Sequence, residues 1–195
     1  PVSEVTHCVL HHTVIVDDDA TPNLWTDRAE VIRKMRQLQV IRPDLGNDVP
    51  YHFVIFLMED GTIIVCEGRG FNRTGAHSPG HNRDGFGCAI EGHTGLMHRL
   101  AFAPFAPLIS TFYGWLKVTA RNLGTEHPPQ RVEYNNGRTM DSYGHRHLKQ
   151  TACPGGAAWF HVPNITYGLE DEMTPEQEAQ LKKLVEWQQI GRAHV

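Results

Sequence analysis

Gly144-His145-Arg146-His147-Leu148-Lys149-Gln150-Thr151-Ala152-Cys153-Pro154-Gly155 is the stretch around which the chain has to fold. It sets an imidazole at position 145 and a thiol at position 153 on a segment punctuated by Gly and Pro, the composition of a surface loop. Taken singly, a Cys is more often a small buried hydrophobe and a His more often structural. A third candidate far upstream changes that reading. His11, in Cys8-Val9-Leu10-His11-His12-Thr13, closes a short apolar run that reads as a buried strand. Two imidazoles and a thiolate suit zinc and leave a fourth position for water, as catalytic rather than structural sites do. A fold that serves this set must carry the end of the first strand to the late loop.

Working outward, residues 5–16 read as that first strand, β-branched at Val5, Val9, Val14, Ile15 and Val16. Asp17-Asp18-Asp19 then reads as a solvated turn. Thr26 or Asp27 caps a helix running to about Val40. Val31, Ile32, Met35 and Leu38 form its apolar stripe, and Arg28, Arg33, Lys34 and Arg36 its wet face. Tyr51 to Leu57 and Thr62 to Glu67 are two strands of a hairpin turning at Glu59-Asp60-Gly61. Gly68 to Arg83 is a polar loop longer than most connections, which points to function. Phe86 to Glu91 is a further strand.

Pro104 to Asn122 reads as a helix with Leu108, Phe112, Trp115, Leu116 and Thr119 at helical spacing, closed by Gly124. Loops at Pro128-Pro129 and Asn135-Asn136-Gly137 lead into the stretch quoted first. Thr174-Pro175-Glu176-Gln177 opens a last helix, to Gln189, with Ala179, Leu181, Leu184, Val185 and Ile190 on its apolar face. With no internal repeat, the pattern is a single α/β domain: a central mixed β-sheet flanked by helices, with the zinc site in a surface groove. Residues 1–168 are assigned to the catalytic domain and 169–195 to a C-terminal helix, an appendage or the start of a linker.

At 195 residues, 40% hydrophobic and 21% charged, the chain can bury a full core. A net charge of −4 argues against nucleic acid as a partner and supplies no pull towards an anionic membrane or wall. No apolar run is long enough to span a bilayer, and no basic-then-apolar leader opens the chain at Pro1-Val2. Cys8, Cys66 and Cys88 lie in apolar, strand-like runs and read as buried free thiols.

Zinc lowers the pKa of a bound water to about 7 and polarises a carbonyl, so a three-ligand site suits hydrolysis of an amide or ester. Such chemistry also needs a group to hold the developing oxyanion and a proton for the leaving amine. Tyr51, opening a strand, and Thr151, two residues before the Cys, are placed to serve. Read alone, Tyr51 is better taken as a strand aromatic with its hydroxyl at the surface.

Six short motifs follow one another in order: His11-His12-Thr13, Tyr51-His52-Phe53-Val54-Ile55, Asp60-Gly61-Thr62, Glu67-Gly68-Arg69, Gly75-Ala76-His77-Ser78-Pro79-Gly80-His81-Asn82, and Gly144-His145 with Thr151-Ala152-Cys153-Pro154-Gly155. Over roughly residues 8–156 the chain closely resembles the zinc-dependent N-acetylmuramoyl-L-alanine amidases of the bacteriophage-lysozyme and peptidoglycan-recognition-protein type. The resemblance implies cleavage of the amide between the lactyl group of N-acetylmuramic acid and L-alanine in peptidoglycan. It implies His11, His145 and Cys153 as zinc ligands, with His12 as the alternative first ligand, turned to the other face by strand alternation. It further implies Tyr51 as the tyrosine that assists water or oxyanion, and Thr151 at a position where relatives carry Lys or Thr. His77 and Asn82 match a segment resembling a substrate-contact loop, and Arg69 anchors that loop or meets a stem-peptide carboxylate, with structural roles open for Arg69 and Asn82.

The departures point to origin. The run Gly46-Asn47-Asp48-Val49-Pro50 before Tyr51 lacks the usual Gly-Trp and Asp-Ile-Gly, so the rim of the groove is built differently. No Cys follows His-His-Thr closely, unlike in animal recognition proteins. The expectation is a monomeric phage endolysin domain, made in the host cytoplasm and acting on the cell wall. A secreted bacterial autolysin, a muropeptide-recycling amidase and a non-catalytic peptidoglycan-recognition module are the alternatives. Glu91 is read as a support for a ligand His or a solvated strand end, and His93, His98, His127 and His147 as surface or structural.

Overall fold

Alternating strands and helix-spaced stripes meet in three layers in the computed structural model, which describes residues 4–14, 24–124, 132–133, 139–140, 142–168 and 185–188. The sheet contains β1 (His7–His12), β2 (Phe53–Leu57), β3 (Ile63–Glu67), β4 (Gly85–Ile90), β7 (Tyr143–Gly144) and β8 (Val185–Gln188), in the order β7-β1-β4-β2-β3-β8. A separate pair, β5 (Val132–Glu133) and β6 (Thr139–Met140), runs antiparallel. β1 is parallel to both β4 and β7, β4 is parallel to β2, and the β2–β3 hairpin is antiparallel. The sheet is therefore mixed, as the sequence predicts.

The period-2 alternation of β2 divides the core. Phe53, Ile55 and Leu57 face one side, joined by Leu10, Phe86, Cys88 and Ile90, and meet Phe112, Tyr113 and Leu116 of α3 (Phe105–Asn122). Val54 and Phe56 face the other side with Cys66 and Ala89 and meet Val31, Met35 and Leu38 of α1 (Arg28–Ile41). Asp27 caps α1 by accepting from Ala29 N–H at 2.8 Å. Gly124, at φ +82°, supplies the left-handed residue expected after α3. Short helices α2 (Arg99–Phe102), α4 (His145–Leu148) and α5 (Gly156–His161) complete the domain. Cys8, Cys66 and Cys88 are buried and free.

Three expectations need correction. The first strand spans His7–His12 rather than starting at Val5 and running on through Val14, and Ile15 and Val16 lie outside the described residues. Thr13 N–H makes the last cross-strand bond among the described residues, to Ile90 O at 3.0 Å, and the Thr13 hydroxyl then accepts from Gly92 N–H at 3.0 Å, closing a turn. Lys34 does not belong to the wet face of α1, because its ammonium reaches 3.4 Å from the buried Glu91 carboxylate. A buried carboxylate needs a counter-charge, and the long lysine stem lies along apolar surface to supply it. Finally, 185–188 is a strand parallel to β3, in register from Ile63↔Val185 to Cys66↔Gln188, where helical spacing predicts a helix. Pairing satisfies the otherwise open edge of an apolar strand and overrides local periodicity. Asp17 to Asp19, the loops at 128–129 and 135–137, and 174–184 lie outside the described residues. Among the described residues, no helix is long and apolar enough to cross a membrane.

Candidate metal centre

Strand register brings the distant candidates together. Gly144 of β7 pairs with Leu10, so the next residue along each strand sets His145 beside His11, with ring centroids 4.4 Å apart. Cys153 arrives from the loop between α4 and α5, its Sγ 3.6 Å from His11 Nδ1. One donor atom from each of His11, His145 and Cys153 lies within 4.8 Å of the other two, and all three residues are buried. Among the described residues, neither ring nitrogen of His145 has a hydrogen-bond partner. Neighbouring backbone fixes the thiol. His12 N–H donates to Sγ at 3.4 Å, Cys153 N–H donates to the Thr151 hydroxyl at 3.2 Å, and Thr94 Oγ1 donates to Pro154 O.

His12 itself is turned away, as alternation on a strand requires; its ring lies against His93, with centroids 5.3 Å apart.

Hydrogen bonds behind His11 set its tautomer. His77 Nε2 lies 3.1 Å from Gly85 O, and a carbonyl only accepts, so Nε2 carries the proton. His77 Nδ1, 3.0 Å from His11 Nε2, is then the acceptor, and His11 donates from Nε2. That leaves the lone pair of His11 on Nδ1, the atom facing Cys153. Burial pushes the pKa of His77 down to about 3, with His52 nearby adding to it, and burial also holds His11 well below the usual imidazole range. Both rings are thus neutral, as the relay requires. Burial lowers His145 as well and pushes the Cys153 thiol up to about 12, against the lowering effect of the His12 N–H.

Space for His77 comes from a glycine. A Cβ at Gly87 would stand 2.4 Å from the His77 ring. This inward placement of His77, against a sheet face left bare at Gly87, is what the polar composition of its loop did not reveal.

The other candidates fall around this cluster. Tyr51 is buried with its ring 5.3 Å from that of His11 and donates its hydroxyl to His12 O at 3.3 Å. Arg69 donates to Val49 O at 2.9 Å and Thr74 O at 2.6 Å, tying the segment before Tyr51 to the long loop. Asn82 Oδ1 accepts from His77 N–H and Ser78 N–H, both at 2.8 Å. Glu91 is directed to Lys34. His147 accepts from Gly144 N–H at 3.0 Å, His98 from Leu100 N–H at 3.3 Å and His93 from Gly95 N–H at 3.1 Å; His127 lies outside the described residues. His52, which the sequence offers only as part of a motif, accepts from Gly87 N–H at 3.0 Å and braces the strand on which His77 rests.

No family model matches the chain. Over 150 residues, 76% of its length, it is 33% identical to the human protein named N-acetylmuramoyl-L-alanine amidase. It spans only 22% of that protein, and 21% and 26% of its pig and mouse counterparts. Peptidoglycan-recognition protein SC2 of Drosophila simulans is 28% identical over 162 residues, 82% of this chain and 73% of that protein. Among solved structures, wild-type Drosophila PGRP-LB shares the fold with a TM-score of 0.57 and 22% identity, over 88% of this chain and 87% of that one. A mutant of PGRP-LB, solved in complex with tracheal cytotoxin, matches with the same TM-score of 0.57 over 86% of this chain and 85% of that one.

Proposed function

The chain belongs to the family of N-acetylmuramoyl-L-alanine amidases and peptidoglycan-recognition proteins, and from that premise we propose that it hydrolyses the amide joining N-acetylmuramic acid to L-alanine in peptidoglycan, with zinc as cofactor. The observation that carries this reading is the complete donor set of His11, His145 and Cys153 within 4.8 Å. The residues fit zinc on three counts: the tautomer relay leaves His11 Nδ1 unprotonated and facing Cys153, His145 is buried with both nitrogens unpartnered among the described residues, and a borderline-soft cation suits two imidazoles and a thiolate. When bound, zinc supplies Lewis acidity, polarising the scissile carbonyl and making a water nucleophilic near pH 7.

The chain's own residues supply the rest. Tyr51, beside His11, donates its hydroxyl to the oxygen of the attacked carbonyl as negative charge develops there, releasing His12 O to do so. Thr151 keeps its O–H to donate, because its oxygen already accepts from Cys153 N–H. Arg69 and Asn82 act by holding the loops that wall the groove, and their contacts to Val49, Thr74, His77 and Ser78 support that role. All four cysteines are free and none follows His11-His12-Thr13 closely, which supports a phage or bacterial origin over an animal one. The expected partner is the muramyl peptide itself, taken by a monomer.

The test is zinc content together with release of soluble stem peptide from peptidoglycan, with and without a chelator. One zinc at this centre and chelator-sensitive release of peptides with a free L-alanine amine are expected. Zinc and wall binding without release would instead establish a recognition module, and absence of zinc would defeat the reading.

Two substitutions probe the supports. His77→Leu removes the acceptor for His11 and is expected to weaken zinc affinity about 10- to 100-fold, as loss of an outer partner does. His77→Asn can place Oδ1 where Nδ1 stood and should recover much of it. Chelator competition reads the affinity and the 15N shifts of His11 read the tautomer; equal affinity in all three proteins would exclude the relay. Thr151→Val should lose about tenfold in kcat, the equivalent of one hydrogen bond of about 1.4 kcal/mol, while Thr151→Ser stays near wild type. Steady-state kinetics on a muramyl peptide checks both.

A further inference from the structure

A second cluster lies on the same face of β1. His7 and His11 are both odd-numbered residues of one strand, so their side chains emerge on the same side. His7 is only 4% exposed, and its Nε2 has no hydrogen-bond partner among the described residues. His81 Nδ1 and Asp84 Oδ1 stand 3.5 Å apart, and neither atom has a hydrogen-bond partner among the described residues either. One donor atom from each of His7, His81 and Asp84 lies within 4.8 Å of the others.

From this we propose a second metal site, in which His7 Nε2, His81 Nδ1 and an Asp84 carboxylate oxygen hold a divalent cation of the zinc class. Four observations support it. First, the Thr6 hydroxyl lies 3.0 Å from His7 Nδ1 and occupies that nitrogen, which leaves Nε2 as the ring atom available to the cluster.

Second, the space is provided by Gly85, where a Cβ would come within 2.9 Å of His7 Nε2. Third, three polar atoms face one another with no hydrogen bond among them, an arrangement that a hydrogen-bonded pair would not leave and that one cation resolves. Fourth, two imidazoles and a carboxylate form a donor set for zinc, with water completing the shell. The side chains of His81 and Asp84 are 34% and 42% exposed, so an ion can enter from solvent.

The site would staple the loop between Ser78 and Asp84 to the start of β1. That loop follows directly from His77, the residue that orients His11, so the second ion would brace the first centre from outside while contributing nothing to the reaction. It has no thiolate, which separates it experimentally from the centre at Cys153.

The test is titration of untagged protein with zinc and, in parallel, with cobalt(II). Two equivalents are expected: one giving thiolate-to-cobalt charge-transfer absorption, and one giving only ligand-field bands. His81→Ala and Asp84→Ala should each lose the second equivalent and the rise in Tm that accompanies it, while keeping the charge-transfer band and activity. Cys153→Ser should lose the charge-transfer band and keep the second equivalent, so failure of either site is read independently of the other. A stoichiometry of one in the wild type, or a second equivalent that survives in both His81→Ala and Asp84→Ala, would overturn the proposal.

Discussion

Cys153→Ser is expected to yield a folded protein with no stoichiometric zinc at the His11–His145 centre and no measurable amide hydrolysis. The side chain is fully buried, and serine fills nearly the same volume, so packing around it changes little. The His12 N–H that now points at Sγ can donate to the serine oxygen, and Thr151 still takes the backbone N–H of residue 153. What is lost is the donor's chemistry. A thiol gives up its proton to a soft or borderline cation, whereas an alcohol in the same dry position does not. Replacing an outer partner of a ligand costs about 10- to 100-fold in affinity, and loss of a ligand should exceed that range. Metal analysis, circular dichroism and peptide release measured on one preparation decide the matter. Zinc retained at full occupancy with turnover intact would remove Cys153 from the ligand set.

The cluster of His11, His145 and Cys153 was legible from alternation along β1, which separates His11 from His12, and from the Gly- and Pro-punctuated stretch that carries His145 and Cys153. The layers were legible too, since Phe53, Ile55 and Leu57 alternate with Val54 and Phe56 and each set finds a helix stripe of matching spacing. Less legible were side chains whose direction depends on room made elsewhere in the chain. His77 sits in a polar loop, yet it turns inward because Gly87, ten residues on, leaves the sheet face bare. Lys34 reads as solvated on a helical wheel, but the wheel cannot see a buried Glu91 just past the end of β4. The strand at 185–188 is the same lesson at the level of backbone: the partner that decides it, β3, lies more than a hundred residues earlier. Local pattern informs local structure, and long-range satisfaction of polar groups settles the exceptions.

Tyr51→Phe is expected to keep zinc at wild-type occupancy and lose about 100- to 1000-fold in kcat, the usual cost of removing one donor to a developing oxyanion. The ring is 4% exposed and packs on the α1 side of the sheet, so phenylalanine retains the packing. The hydroxyl donates to His12 O at 3.3 Å, and that carbonyl loses only a long contact. Stability should therefore change little, which makes kinetics a clean readout. The split between parameters carries the argument. A donor engaged only as charge develops lowers kcat and kcat/KM together and leaves KM near its wild-type value. A tyrosine that merely shapes the groove would instead raise KM with kcat preserved. A third pattern, zinc lost along with activity, would mean that the bond to His12 O matters for the ligands themselves. His12 follows His11 in β1 and its own N–H donates to Cys153 Sγ, so that outcome would move Tyr51 from the reacting carbonyl to the scaffold of the metal centre.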